Sequence, residues 1–253
     1  RNTELVTRLH FFANLNLTTT DKCIVGVAPL DKNRFTNFTR YSWESNQGEE
    51  GGRSEAGVFL RTAFCEGDFG SLFPNLDPEG NKFIDYGFSF GRQRIHFQEG
   101  TMINDFLDSV GIVRNNMHLP GLSNVRATGV YAWGSIDRGS PATRRRLNQP
   151  GGLYGLFIQA DDPTTTWGLD FISVDDDDQA TGGDGMYIGL SAAQRAWTPW
   201  SRLASFNTTY RINASFAEDT DTANVADGVL ISAEISWTPH SSDDVVYINP
   251  FYG

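Results

Sequence analysis

The sequence predicts an all-β chain folded as an antiparallel up-and-down transmembrane β-barrel, and three observations carry that prediction. The first is an alternation of apolar and polar residues over two long segments between Arg202 and Trp237. Ala204, Phe206, Thr208, Tyr210, Ile212, Ala214 and Phe216 share one face of the first segment, and Ser205, Asn207, Thr209, Arg211, Asn213 and Ser215 share the other. Val229, Ile231, Ala233, Ile235 and Trp237 likewise oppose Ser232, Glu234, Ser236 and Thr238. Side chains on a strand alternate sides, so each ribbon is apolar on one face and polar on the other, and each is long enough to cross a bilayer when tilted. The second is that the connections between strands mostly alternate in length. The third is that no stretch approaches the ~18 to 20 consecutive apolar residues of a membrane helix, so a chain of this composition that spans a membrane does so as strands.

Alternation and turn signals, taken in order, give about twelve strands. They fall near 5–18, 22–28, 56–66, 83–93, 109–118, 124–135, 152–160, 165–174, 185–196, 202–216, 228–238 and 244–252. Short turns are expected at Thr19–Asp21, at Leu119–Ser123 with Pro120-Gly121, at Asp161–Thr164 with Pro163, at Trp197–Ser201 with Pro199, and at Pro239–Asp243. Longer polar connections fall between them, at Pro29–Glu55, Arg94–Asp108, Ile136–Gly151, Asp175–Asp184 and Ala217–Asp227. Up-and-down order places every short turn at one end of a barrel and every long loop at the other, the asymmetry of outer-membrane barrels. Gly67–Lys82 is long on the short-turn side, where a small folded excursion on Phe69, Leu72 and Phe73 is expected. Strands of ten to fifteen residues exceed the usual ~5 to 6. Trp133, Trp167, Trp197, Trp200 and Trp237, with Tyr131, Phe216 and Tyr252, lie near strand ends and suit interfacial girdles.

Composition bounds the rest. The 253 residues show no shift that would mark a linker, so one domain over 1–253 is expected. A net charge of −11 argues against a nucleic-acid surface, which needs a basic stripe. The four Asn-x-Ser/Thr sequons, at Asn16, Asn37, Asn207 and Asn213, fall mostly inside expected strands, where a glycan has no room. The four histidines, His10, His96, His118 and His240, are too scattered for a metal cluster. The one G-x-S-x-G string, Gly87-Phe88-Ser89-Phe90-Gly91, lies inside the expected strand 83–93 and not at a strand-to-helix elbow, and neither an enzymatic reaction nor a cofactor is expected.

With the apolar face outward, the lumen face collects Arg8, His10, Arg61, Asp85, Arg126, Asp170, Arg195, Arg211 and Glu234. Rings of fixed charge select permeating ions by sign, so an arginine-rich wall favours anions. The competing reading is that these arginines pair across strands with Asp85, Asp170 and Glu234 and only stiffen the wall. Residues 95–108 are too apolar for an outer loop, since Phe97, Met102, Ile103, Phe106 and Leu107 call for burial. An inward constriction loop carrying Glu99, Asn104 and Asp105, or a short helix at the rim, meets that demand. The acidic run with Asp175, Asp176, Asp177, Asp178 and Asp184 offers oxygen ligands for Ca²⁺ without the register of an EF-hand loop, and a solvated loop is the plainer reading. Arg144–Arg146 could hold an anionic lipopolysaccharide group or is an ordinary exposed loop. Cys23 and Cys65 fall near the short-turn end of neighbouring strands, as a disulfide or as two separate buried thiols.

Five segments carry a resemblance: Phe64–Pro78 (FCEGDFGSLFPNLDP), Tyr86–Arg94 (YGFSFGRQR), Phe97–Gly111 (FQEGTMINDFLDSVG), Ser123–Gly134 (SNVRATGVYAWG) and Asp227–Pro239 (DGVLISAEISWTP). Together they make the chain resemble bacterial outer-membrane porins of the alginate-export type. The resemblance implies a monomeric, arginine-rich barrel in the outer membrane of a Gram-negative bacterium, in contact with lipid bilayer and lipopolysaccharide. It further implies passive passage of anionic small solutes or polysaccharide, with Arg126 and Arg211 as pore lining. Such barrels have about eighteen strands, within the range of outer-membrane barrels, and end on an aromatic residue where this chain ends on Tyr252-Gly253. The chain is therefore expected to be a portion of a longer one. The rival readings are a soluble β-sandwich or jelly roll that binds carbohydrate, with calcium at Asp175–Asp184, and a barrel enzyme of the outer membrane.

Overall fold

A computed structural model describes residues 3–31, 39–44, 51–54, 57–76, 85–139, 146–176, 183–197, 204–218, 225–239 and 244–253. The chain is all-β. The expected first strand is broken at residues 7–10 into β1 (Thr3–Val6) and β2 (Phe11–Asn16), which belong to different sheets. β3 (Lys22–Ala28) follows, and the connection expected to be a loop supplies β4 (Arg40–Glu44) and β5 (Gly51–Arg53), which join β1 in a three-stranded sheet. The remaining long strands are β6 (Phe59–Asp68), β7 (Tyr86–Phe97), β8 (Ile103–Met117), β9 (Asn124–Gly139), β10 (Arg146–Asp161), β11 (Thr165–Asp176), β12 (Gly185–Trp197), β13 (Ala204–Ala217) and β14 (Gly228–Pro239). The expected strand 244–252 is two short ones, β15 (Val246–Ile248) and β16 (Phe251–Tyr252), both on β14. Between them Pro250 has no N–H to donate to the ladder, although its carbonyl still accepts from Ala233 N–H of β14 at 2.9 Å.

These strands form one antiparallel sheet of 13 in the order β15-β14-β13-β12-β11-β10-β9-β8-β7-β6-β3-β2, with β16 beside β15. Consecutive hairpins produce nearly all of it, as alternating patterns joined by turns should. Among the described residues no pairing joins β2 to β15.

Asp68 caps the short helix α1 (Phe69–Leu72) by accepting from Ser71 N–H. Phe69 of that turn packs on Phe88 with centroids 4.8 Å apart, which is the expected excursion between β6 and β7.

Register decides which residues share a face. One row across the sheet runs Ile158, Leu169, Leu190, Ile212 and Ile231. The next runs Phe88, Ile112, Gly129, Leu156, Phe171, Ile188, Ala214 and Val229. A third contains Phe90, Val110, Tyr131, Tyr154, Ser173, Met186 and Phe216. The large apolar members of these rows are largely exposed, with Ile212 at 47% and Ile231 at 48%. Aromatic side chains border the band. Phe206 lies against Trp237 at one end, and Tyr131 packs against both Trp133 and Tyr154 at the other. Ten residues separate Phe206 from Phe216, so the band is roughly 34 Å long along β13.

The disulfide Cys23–Cys65 belongs to the same face. The two cysteines are register partners with Cα atoms 4.0 Å apart, and Leu15 and Phe90 flank them in the row.

The opposite face holds the buried core. Ile95, Ile103, Leu107, Ala132, Ile136, Leu153, Phe157, Ile172 and Val174 cluster there, with Phe97, Met102, Val130 and Tyr187 packed against them. Gly155 makes room for the largest of these, since a Cβ there would lie 2.6 Å from the Phe157 ring. The face expected to be uniformly polar is therefore apolar over part of its length.

The turn between β10 and β11 is organised by Asp162. Its carboxylate accepts from Thr164 N–H, Trp167 Nε1–H and Thr165 N–H, which together lower its pKa from the ordinary value to about 2. Because the folded-state pKa is depressed, the carboxylate stabilises the fold above its unfolded value of 3.8, and that contribution disappears as pH falls through about 2. Asp162→Asn is expected to remove this part of the acid dependence. Urea titrations between roughly pH 5 and pH 2 measure it, and an unchanged pH slope in the variant would contradict the assignment.

Candidate functional site

The residues expected to form a long inward loop are mostly strand. β7 runs to Phe97 and β8 begins at Ile103, leaving only a strap over Gln98–Met102. Alternation along β8 places buried Ile103, Asp105, Leu107 and Ser109 on the core face and Asn104 and Phe106 on the other. Asn104 accordingly accepts from Arg94 Nε at 3.0 Å on the far side of the sheet and does not belong to the strap. Asp105 is buried within β8, 4% exposed, and is likewise not part of the strap.

The strap crosses the core face. The Phe97 ring stacks on Phe157 of β10 at 3.3 Å, Gln98 Nε2 donates to Asp170 of β11 at 2.7 Å, and Glu99 pairs with Arg211 of β13. Along a flat sheet, six spacings of ~4.8 Å would separate β7 from β13 by roughly 29 Å. Two residues of backbone extend at most ~7 Å, and the Glu99 and Arg211 side chains that meet add roughly 12 Å, still well short of that span. The sheet must therefore curl about this face, with the strap as a chord across it. Gln98 and Glu99 take left-handed φ values of 49° and 55°, each at ~1–2 kcal/mol for a residue with a Cβ. Gly189 of β12 permits the close approach, because a Cβ there would sit 2.4 Å from Gln98 Nε2.

Below the strap lies a cavity of roughly 250 Å³ lined by Gln98, Glu99, Arg126, Asp170, Arg195 and Arg211, together with Thr128, Gln159, Thr166, Ser191 and Thr209. Arg126 donates to Gln159, its register partner. The Arg195 side chain is exposed and has no partner among the described residues. Glu234 shares this face opposite Thr209. Among the described residues none of Asp85, Asp170 or Glu234 forms an ion pair with an arginine. The counter-charge for Arg211 comes from the strap instead, a partner 112 residues away in sequence.

The other expected wall residues lie elsewhere. Arg8 and His10 fall between β1 and β2, beside the buried carboxylate of Asp31 at 3.4 and 3.8 Å. Arg61 is the extra residue of a bulge between β3 and β6. It contacts His10 and lies over the Phe106 ring, on the side of the sheet away from the core. A bulge re-aims its side chain, which alternation alone could not foresee. Asp85 precedes β7 and accepts from Asn116.

The acidic run gathers no metal-ligand cluster among the described residues. Asp184 accepts from Asp176 N–H, Asp175 is exposed, and Asp177 and Asp178 lie outside the described residues. Arg144 and Arg145 lie outside them as well. Gln98 and Gln159, which hold the two ends of the cavity's polar network, carry no sequence signal beyond their neighbours. Only the Gln-Glu-Gly tip of an otherwise apolar stretch pointed toward them. No family model and no curated protein matches the chain.

Proposed function

We propose that this chain is the wall of a transmembrane β-barrel that passes small anionic solutes by diffusion through the outer membrane of a Gram-negative bacterium. The observation that carries the reading is the register-matched apolar band across β7 to β14. Soluble monomers rarely expose contiguous apolar patches larger than a few hundred Å², and here adjoining rows of large side chains are exposed strand after strand. At the ~35–45° tilt of outer-membrane barrel strands, a band ~34 Å long along β13 would stand ~24–28 Å tall, compatible with their ~25 Å apolar band, and aromatic residues stand at both margins. The opposite face presents Arg126, Arg195 and Arg211 to one cavity with Glu99 and Asp170, a balance that favours anions. The likeness to alginate-export porins belongs to this proposal, with lipid and lipopolysaccharide as surroundings. Strand edges are not tolerated in hydrocarbon, so the proposal requires partners for β2 and β15. The mass of the protein in detergent tests whether one chain or several supply them.

Planar-bilayer recording in a salt gradient tests the function. Anion-selective reversal potentials are expected, and Arg126→Ala with Arg195→Ala should move them toward zero without loss of the β-sheet spectrum. Cation selectivity would remove the arginine-wall reading. A chain that stays monodisperse in plain buffer and never conducts would not be a porin, and carbohydrate binding would then be the reading to test.

A further inference from the structure

We infer that Glu99 is a resident carboxylate that occupies the arginine subsite of the cavity, so that a carboxylate-bearing, hydroxyl-rich solute must displace it from Arg211 to bind. This rests on the anion-passing reading and names how its site is kept closed. The asymmetry of the pair is the first argument. The Arg211 side chain is 7% exposed and the Glu99 side chain 69%. A buried guanidinium left without a counter-charge is costly, whereas an exposed carboxylate loses little on returning to water. The cation therefore needs an anion, and the anion it has can leave.

The second argument is the mount. Glu99 stands on a five-residue tip whose backbone is left-handed at two consecutive non-glycine residues, Gln98 and Glu99. Release of the tip relieves that conformation and offsets part of the lost contact. The third is what remains when Glu99 departs. Arg211 would face Arg126 and Arg195 across a cavity whose remaining wall mixes the hydroxyl and amide groups of Thr128, Gln159, Ser191 and Thr209 with the apolar surfaces of Phe157 and Trp167. Arginine pairs with carboxylates in bidentate geometry, and the hydroxyls and amides suit a polyol chain. At roughly 250 Å³ the space is smaller than the ~300 Å³ at which ordinary ligand pockets begin, so it fits one small unit at a time. Beside it, Gln98 Oε1, Asn213 Oδ1 and Nδ2 and Ser232 Oγ are buried and have no hydrogen-bond partners among the described residues. Buried polar atoms of that kind are satisfied by water or by a bound polar solute.

Calorimetric titration of the full chain in detergent micelles, with gluconate and its uncharged counterpart sorbitol, tests the inference without requiring a conducting pore. Glu99→Gln is expected to tighten gluconate binding about tenfold, because a subsite blocked most of the time shows an affinity reduced by its open fraction. Sorbitol binding should not change. Glu99→Asp keeps the charge but shortens the reach to Arg211, and it should recover most of the same gain. Adding Arg211→Gln to Glu99→Gln should abolish the gain. Equal gluconate affinity in wild type and Glu99→Gln overturns the inference, as does a gain in Glu99→Gln that Glu99→Asp lacks, which would be simple repulsion. Both decisive variants sit on the exposed tip, so the outcome does not depend on Arg211→Gln folding. A binding shift without conductance would leave the subsite standing and remove the channel, and conductance without a shift would do the reverse.

Discussion

Replacing Ile212 with arginine is expected to cost about 2–4 kcal/mol of folding free energy in a phospholipid bilayer, the penalty of a basic side chain facing lipid near the midplane of a barrel. The residue lies at the centre of the exposed band, with Leu190 and Ile231 as its register partners. On a surface facing water the same change would fall within about 0.5 kcal/mol, since Ile212 is 47% exposed and fills no cavity. Urea titration of folding into vesicles, followed by tryptophan fluorescence, separates the two. A loss below about 0.5 kcal/mol would show that hydrocarbon does not cover this face.

Phe157→Ala is expected to destabilise the protein by about 3–5 kcal/mol, the range for deleting a buried aromatic ring. Phe157 is 4% exposed, sits at the centre of the core cluster and stacks on Phe97 at the base of the strap. The change removes the contact that holds the strap to β10 as well as the transfer free energy of the ring. Hydrogen exchange at Gln98–Met102 should rise in the variant more than exchange in β12 or β13. Equal protection of the strap in both proteins would mean that the Gln98–Asp170 and Glu99–Arg211 contacts hold it alone.

Much of this architecture was legible because a strand with one apolar face writes its register into the chain. The alternation from Ala204 to Phe216 and from Val229 to Trp237 identified β13 and β14 within a residue or two, and the turns at Leu119–Ser123 and Asp161–Thr164 were read from Pro120-Gly121 and Pro163. The pattern failed where the chain obeyed a different constraint. β7 and β8 extend through Arg94–Asp108 because their upper halves bury Ile95, Ile103 and Leu107 on the core face, which made the stretch read as an apolar loop. Arg61 was misplaced by a bulge, and the segment from Thr3 to Asn16 was read as one strand where the chain crosses between two sheets.

The amino-acid order by itself settled the strand class, the antiparallel hairpin order and the composition of the apolar band, since each depends on neighbours one or two residues apart. Only the tertiary structure decided that the core face is apolar above and charged below, that Cys23 and Cys65 are bonded, and that Arg211 takes its counter-ion from Glu99 instead of a neighbouring strand. The physical reason is distance along the chain. A period of two residues is written locally, whereas a contact across 112 residues exists only once the sheet has curled and brought the β7–β8 strap across to β13.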